Sequence, residues 1–563
     1  MHQLLTDQPG SKMLLLGNEA IVRGALEAGL AIAAAYPGTP SSEIGNNLFQ
    51  ITQDPSARLY FEFSTNEKVA MEVASAASAA GLRSLTCLKH VGLNVASDVL
   101  MTLAYVGTRG GMVIVNADDP SMHSSQNEQD NRYYARLAGL PMLEPTSPQE
   151  AKDMVIHAFE LSEYLELPVL VRTTTRTSHV RGPVVLGKLP DSKKTSGRFE
   201  KDPGRWVPVP AVARIRHKVL LERMQKAEEK AGTSGFNITT GSGATGIISS
   251  GVAACYAADA ISELDCGNQV KFLRLGMTHP HSEAMFLDFL EGLEQVLVVE
   301  ELEPFIEDSL KATAQANGID VQVLGKKSGH LPRLYEFDPL QVKTALARVL
   351  KTDIQEPEKP DLSSLPPLPM RPPSLCKGCP HRETYMAAKE ALKQLGMEEN
   401  AIYPTDIGCY TLGLLPPIQM ADYLLCMGSS VGTSAGFSAG TDQKIVSFIG
   451  DSTFFHSGIS SLANAVHNRH RFCLVILDNS TTAMTGHQPN PGIEFTPPGY
   501  DHPRIPIEQV VRGCGVKVVE KINPYRKKEA VEVFKSVLAR DELCVVIAEA
   551  PCVLYIKKVG GKK

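Results

Sequence analysis

Short apolar runs alternate along most of this chain with longer stretches whose apolar positions recur at helical spacing. Residues 12–16 read as a strand, 19–28 as a helix, and 31–36 as a strand that ends in Pro37-Gly38-Thr39-Pro40-Ser41-Ser42. Strands are further predicted at 59–63, 111–116 and 168–172, with a helix at 67–81. Polar residues collect just past the strand ends, where open parallel sheets bind ligands. Residues 1–181 therefore form a first α/β block. Residues 182–240 break the pattern with Pro, Gly and charge, hold the single Trp206 and a charged helix at 212–230, and read as a wrapping linker. A smaller α/β block at 241–350 has strands at 245–248, 270–275 and 295–300. The linker 351–375 carries seven prolines from residue 356 onward, an extended spacer, and a third block fills 376–563. The expected fold class is α/β, with three doubly wound, mostly parallel sheets.

The third block holds the most informative pattern. An apolar strand at 445–449 ends in Gly450-Asp451-Ser452; after 25 further residues a second strand, 473–477, ends in Asp478-Asn479. Side by side in a parallel sheet, these ends bring a carboxylate and an amide oxygen beside a helix N-terminus. Oxygen ligands suit Mg²⁺ or Ca²⁺, and the free N–H groups of a helix start suit phosphate. The spacing resembles the thiamine diphosphate motif, usually GDG followed after a fixed gap by NN, with Ser in place of the last Gly and Asp in place of the first Asn. The alternative is an ordinary βαβ crossover with polar turn residues.

Composition narrows the class. The 563 residues are 43% apolar and 21% charged, with a formal net charge of −6, which gives no reason to expect nucleic acid or an anionic membrane as partner. No apolar run approaches the ~20 residues of a bilayer span. The first twelve residues lack a secretory pattern, so the expected location is cytoplasmic. Eleven cysteines, an odd number, argue against a disulfide scaffold. Cys87, Cys255, Cys266, Cys426, Cys473, Cys514 and Cys544 sit in apolar or helical settings and are expected to be buried small hydrophobes.

A thiamine enzyme also needs a carboxyl group on the aminopyrimidine ring to drive formation of the imino tautomer. Glu67, in the first turn of its helix and facing a strand end, is the candidate, with Ala70, Ala74, Ala77 and Gly81 as a small-residue stripe for close helix approach. Alone, such a glutamate is more often a partner of the helix dipole.

The segments GNEAIVRGALEAG, YPGTPSSEI, EFSTNEKVAMEVA, KHVGLNVASD, CKGCPHR, DIGCYTLG, GDSTFFHSG and DNSTTAMTGHQP span nearly the full length. Together they resemble the indolepyruvate ferredoxin oxidoreductase alpha-subunit family, among the thiamine diphosphate-dependent 2-oxoacid:acceptor oxidoreductases. The resemblance implies two cofactor-binding domains and a transketolase C-terminal-like domain, with the first and third blocks jointly holding the cofactor. It puts Thr39 near the reacting carbonyl and Glu67 on the pyrimidine. It puts Asp451, Asn479 and the main-chain oxygen of Thr481 on Mg²⁺, Gly450, Ser452 and Thr453 against the diphosphate, and Gly428-Ser429-Ser430 along the cofactor.

Four cysteines remain. Cys376 and Cys379 form a C-x₂-C, Cys409 follows Asp406-Ile407-Gly408, and Cys552 follows a strand in Ala550-Pro551-Cys552. Four thiolates at strand ends suit zinc or a [4Fe–4S] cluster. Oxidising a decarboxylated 2-oxoacid calls for a nearby one-electron acceptor, which zinc is not, and related oxidoreductases use four cysteines so placed for a proximal cluster. Relatives commonly continue into a ferredoxin-like module with two C-x₂-C-x₂-C-x₃-C-P runs; neither occurs here, so electrons are expected to leave through a partner subunit or a soluble carrier.

The expected activity is oxidative decarboxylation of an aryl 2-oxoacid to CO₂ and the acyl thioester of coenzyme A. The expected assembly is a dimer of this chain with a smaller beta subunit, and ferredoxin or a ferredoxin-like subunit as acceptor. Other 2-oxoacids (phenylglyoxylate, phenylpyruvate, branched-chain), a non-oxidative decarboxylase and a non-catalytic cofactor-binding subunit are the alternatives. His90 after Lys89, and His487, stand near strand ends as candidate contacts to substrate or diphosphate. Arg109 and Arg172 read as structural before carboxylate- or coenzyme A-binding, and Glu300-Glu301 with Glu303 as a solvated or interface edge.

Overall fold

The computed structural model describes residues 2–191, 195–354, 361, 363–369, 371–493 and 502–560; much of the proline-rich spacer, residues 355–360, 362 and 370, lies outside them. The chain folds as two compact units, Met1–Lys359 and Pro360–Lys563.

The first unit holds two main sheets. Seven strands run in the order Met277–His279, Met142–Leu143, Val169–Thr174, Met112–Asp118, Ser84–Lys89, Ile32–Ala35, Tyr60–Phe63, all parallel except the first. All seven residues of Met112–Asp118 are buried, as expected of a central parallel strand covered on both faces. The covering helices start on sequence signals: Ser147 caps Pro148–Leu165 by accepting from the Glu150 N–H, and Asn66 caps Glu67–Ala79 through the Val69 N–H.

A five-stranded sheet follows, ordered Gln322–Leu324, Gln295–Val299, Thr245–Ser250, Val270–Leu275, Ile238–Gly241, the last antiparallel. The strand Arg181–Val185 crosses the expected boundary at residue 181 and pairs antiparallel with Lys12–Leu16. Likewise Met277–His279, from the expected 241–350 block, adds to the edge of the first sheet.

The 182–240 segment is bound to the first sheet's layer by arginines. Its helix Pro210–Gly232 sends Arg216 to the Tyr105 and Val106 carbonyls, and Arg205 bonds the Val106 and Thr108 carbonyls. These cations meet the C-terminal end of the helix His90–Val106, where the unsatisfied carbonyls carry partial negative charge.

Glu300 and Glu301 are not on a solvated edge. They are 1% and 5% exposed, within a cluster that also contains Arg132, Arg172, Asp118, Asp130 and Glu144. An acidic doublet after a strand looks solvent-facing until its distant arginine is known. Arg172 bonds Asp118 at 2.6 Å and Glu144 at 2.8 Å, and Arg109 bonds Glu200 and the Arg198 carbonyl. Both arginines are committed to the fold.

The second unit is an all-parallel five-stranded sheet ordered Ala401–Ile402, Lys444–Gly450, Cys473–Asp478, Cys544–Glu549, Val518–Ile522. Apolar clusters cover both faces, one around Tyr385, Phe448 and Phe534, the other around Phe454, Phe472 and Val511. Of the seven cysteines expected in apolar settings, Cys426 is exposed, in the turn that leads into the helix Ser429–Gly440, while Cys255 and Cys514 are half-buried.

Candidate active site

In the second unit, Lys444–Gly450 and Cys473–Asp478 are neighbours in register, Gly450 opposite Leu477, so their polar ends emerge together. Asp451 opens the helix after the first strand and is 3% exposed; Asp478 is equally buried. Burial, and then the charge of Asp478, push the Asp451 carboxyl up to about 8. A buried carboxylate that feels a second one favours a nearby cation; Arg504 Nη2 lies 3.9 Å from Asp478 Oδ2, and oxygen donors at Asp451 suit Mg²⁺.

The surrounding turn is hydrogen-bonded throughout. Asn490 Nδ2 donates to Asp451 Oδ2 at 3.1 Å, Thr482 Oγ1 to Ser452 Oγ at 3.0 Å, and the Thr481 N–H to Asn479 Oδ1 at 3.3 Å. Asn479 Nδ2 stands 3.1 Å from Nε2 of His381, which burial pushes down to about 4, so the neutral ring accepts. Tyr410 OH bonds Thr453 Oγ1 at 3.1 Å, and Thr453 bonds the Ile407 carbonyl.

Gly428 adopts φ +86°, and a Cβ there would lie 1.7 Å from Ser457 Oγ. The turn is pinned by a residue the sequence reading did not assign, Asp406. Its two carboxylate oxygens accept the Gly428 and Ser430 N–H groups at 2.6 and 3.0 Å. The available signal was an acid followed by Gly just before Cys409, in Asp406-Ile407-Gly408. His487 has φ +68° and a ring stacked 5.6 Å from Tyr555; burial lowers its pKa.

The cysteines Cys376, Cys379, Cys409 and Cys552 lie on this same end of the unit. The Cys552 N–H donates to the Asn479 carbonyl at 3.0 Å, Cys379 caps the helix that carries His381, and Cys409 follows the Asp406 turn directly. Burial, followed by the charges of Cys379, Cys552 and Cys376, raises the Cys409 thiol to about 11. Among the described residues no three His, Cys, Asp or Glu side chains form a group that could hold a metal ion. Thiolates are the donor type that zinc and iron–sulfur centres share.

In the first unit, Thr39 is half-buried on the Gly38–Pro40 loop, its Oγ1 3.5 Å from Ser42 Oγ. Glu67 is 6% exposed and lies over Gly92, where a Cβ would meet Glu67 Oε1 at 2.6 Å. Gly92 is thus what lets the acid pack on the helix His90–Val106. His90 is fully buried, its Nε2 3.1 Å from the Asn127 carbonyl, and burial keeps it neutral; it caps backbone.

Comparison with known proteins decides the family. Residues 23–229 match the model described as pyruvate flavodoxin/ferredoxin oxidoreductase, thiamine diP-binding, and residues 406–548 match that of the thiamine pyrophosphate enzyme C-terminal TPP binding domain. The indolepyruvate oxidoreductase subunit IorA of Methanothermobacter marburgensis is 52% identical over 566 residues, covering 100% of this chain and 90% of that protein. The chain belongs to the IorA family. The IorA protein of Pyrococcus abyssi is 47% identical over 579 residues, 98% of this chain and 87% of that one. Members of this family are alpha-type subunits of thiamine-dependent 2-oxoacid oxidoreductases, and the α/β fold with largely parallel sheets is the one these domains require. Among the described residues no helix is long and apolar enough to cross a membrane.

Proposed function

We propose that this subunit catalyses oxidative decarboxylation of an aryl 2-oxoacid of the indolepyruvate type, with coenzyme A taking the acyl group and a low-potential carrier of ferredoxin type taking the electrons. Bound thiamine diphosphate supplies the electron sink that lets a 2-oxoacid lose CO₂. In this reading Glu67 holds the aminopyrimidine nitrogen, and Thr39 lies beside the substrate carbonyl. Asp451, Asn479 and the Thr481 carbonyl hold Mg²⁺. Gly450, Ser452, Thr453 and the Gly428-Ser429-Ser430 turn receive the diphosphate, with His487 nearby. Cys376, Cys379, Cys409 and Cys552 hold a [4Fe–4S] cluster.

The observation that carries the reading is the buried Asp451–Asp478 pair at two adjacent strand ends, inside the stretch that matches a thiamine pyrophosphate-binding model. The cysteines support the redox half, because Cys552 is hydrogen-bonded to the very turn that presents Asn479. The names of the relatives support the aryl substrate. The reading includes a dimer of this chain with a smaller beta subunit. It also places the enzyme in the cytoplasm, where its free cysteines stay reduced.

The test is anaerobic purification of the assembled enzyme, analysis for iron, sulfide and thiamine, and turnover on a panel of 2-oxoacids. Glu67→Gln should cut turnover by about 10²–10⁴-fold with thiamine still bound. Unchanged turnover in that variant, or absence of thiamine from the active complex, would refute the assignment.

A further inference from the structure

We propose that Lys89 is the anchor for the carboxylate of the substrate, a role that rests on the reading of the first unit as the substrate-facing half of a 2-oxoacid enzyme. Lys89 is the last residue of the strand Ser84–Lys89 and the N-cap of the helix His90–Val106. It leaves the sheet at the C-terminal end of an interior strand, the edge where such sheets bind ligands.

Its stem lies against Gly38: a Cβ there would stand 3.2 Å from both Cβ and Cγ of Lys89. The absence of a side chain at Gly38 therefore lets the lysine run alongside the loop that carries Thr39. On its other side Lys89 feels the charge of Glu67, which lies over Gly92 one turn into the same helix. The stem thus runs past the loop of Thr39, and the ammonium feels the charge of Glu67, the two residues already assigned to the reacting carbonyl and to the aminopyrimidine.

No anionic side chain pairs with it among the described residues. Lys89 Nζ has three donors and, among the described residues, one acceptor, the Ser124 carbonyl at 2.9 Å. It makes no ion pair there. Asp119 is nearby but occupied: it accepts from Ser125 Oγ at 2.6 Å, the Ser124 N–H at 2.9 Å and Thr175 Oγ1 at 2.6 Å. Burial lowers the Lys89 pKa to about 8 even against the pull of Asp119 and Glu67. The half-buried ammonium makes no ion pair among the described residues, and a monoanionic carboxylate fits both its charge and its two spare donors. In a 2-oxoacid the carboxylate adjoins the keto carbon, so an anchor beside Thr39 fixes the reacting carbonyl as well.

The competing role is a tether, with Lys89 merely holding the Ser121–Ser125 turn through the Ser124 carbonyl. The assembled enzyme with Lys89→Met and Lys89→Arg separates the two. The anchor predicts that Lys89→Met raises KM for indole-3-pyruvate by about 10- to 100-fold, the span of one charge-assisted contact, with thiamine content and unfolding midpoint unchanged. Lys89→Arg should recover most of that loss. Equilibrium titration with indole-3-acetate, a carboxylate with no keto group, should show the same loss of affinity in Lys89→Met.

An unchanged KM, or a KM that rises only together with loss of thiamine and a lower unfolding midpoint, overturns the anchor. If the unaltered enzyme turns over no 2-oxoacid, the titration still decides: binding of indole-3-acetate that depends on Lys89 keeps the subsite and refutes only the reaction. No binding to the unaltered enzyme refutes both.

Discussion

Arg132 Nη1 lies 2.6 Å from Glu300 Oε2, with both side chains fully buried in the first unit. Arg132 opens the helix Arg132–Ala138, and Glu300 follows the strand Gln295–Val299, so the pair ties the seven-stranded sheet's layer to the five-stranded sheet. Glu300 also accepts the Ile306 and Glu307 N–H groups, which begin the next helix. Removing one partner of a buried pair strands the other charge. Glu300→Ala should destabilise the first unit by about 3–5 kcal/mol in denaturant unfolding; a loss below about 1 kcal/mol would mean that Asp130, also 2.6 Å from Arg132, satisfies it alone.

The cluster around this pair contains more acid than base, and Glu301 is the acid without a cation in direct contact. Among the described residues its side chain accepts from the Phe337 N–H at 3.1 Å, and burial raises its pKa from 4.5 to about 7. The folded state therefore keeps a proton that the unfolded chain releases near pH 4.5. The stability contributed is fully present below about pH 4.5 and is lost as pH rises through about 7, an interval worth about 3 kcal/mol. Glu301→Gln stays neutral throughout. Its stability relative to the unaltered protein should therefore rise by about that amount between pH 4.5 and 7.5, measured from denaturant midpoints. Parallel pH profiles for the two proteins would show that Glu301 is ionised in the fold.

Which of these features the sequence discloses depends on how local their cause is. The strand Val270–Leu275 and the helix Glu67–Ala79 are written in a few consecutive residues, an apolar run in one case and an Asn cap with a small-residue stripe in the other. The Gly450-Asp451-Ser452 and Asp478-Asn479 turns are legible because each follows directly on an apolar strand with polar residues at its end. Glu300 reads as an edge residue because its arginine is 168 residues away in sequence. Asp406 does not stand out in the sequence because its partners, Gly428 and Ser430, are 22 and 24 residues on, and neither end of that contact is unusual by itself. Long-range polar pairing leaves no periodicity to read.

The cysteine assignment predicts a clean separation of two cofactors. Cys409 begins the short helix Cys409–Leu414 and, among the described residues, its side chain makes no hydrogen bond to the Asp451 turn, whereas Asp406, three residues earlier, holds the Gly428 turn. Cys409→Ser should therefore remove most iron and sulfide, and the visible absorption with them, while thiamine content changes less than about twofold. Loss of thiamine in step with iron would show that the two centres do not form independently.

The last prediction concerns the Gly428 turn, where backbone conformation and space both exclude a side chain. Alanine at φ +86° is strained by about 1–2 kcal/mol, and its Cβ would also lie 1.7 Å from Ser457 Oγ and 2.8 Å from Ser457 Cβ. Ser457 cannot yield freely, because its hydroxyl donates to the Met427 carbonyl at 3.0 Å, one residue before the glycine. The turn itself must move, and with it the Gly428 and Ser430 N–H groups that Asp406 aligns. Gly428→Ala should weaken thiamine diphosphate binding by at least about tenfold in equilibrium titration. Adding Ser457→Gly removes the collision and leaves only the strain, so the double variant should recover part of the affinity. A Gly428→Ala protein that binds the cofactor normally would place the diphosphate elsewhere in the second unit.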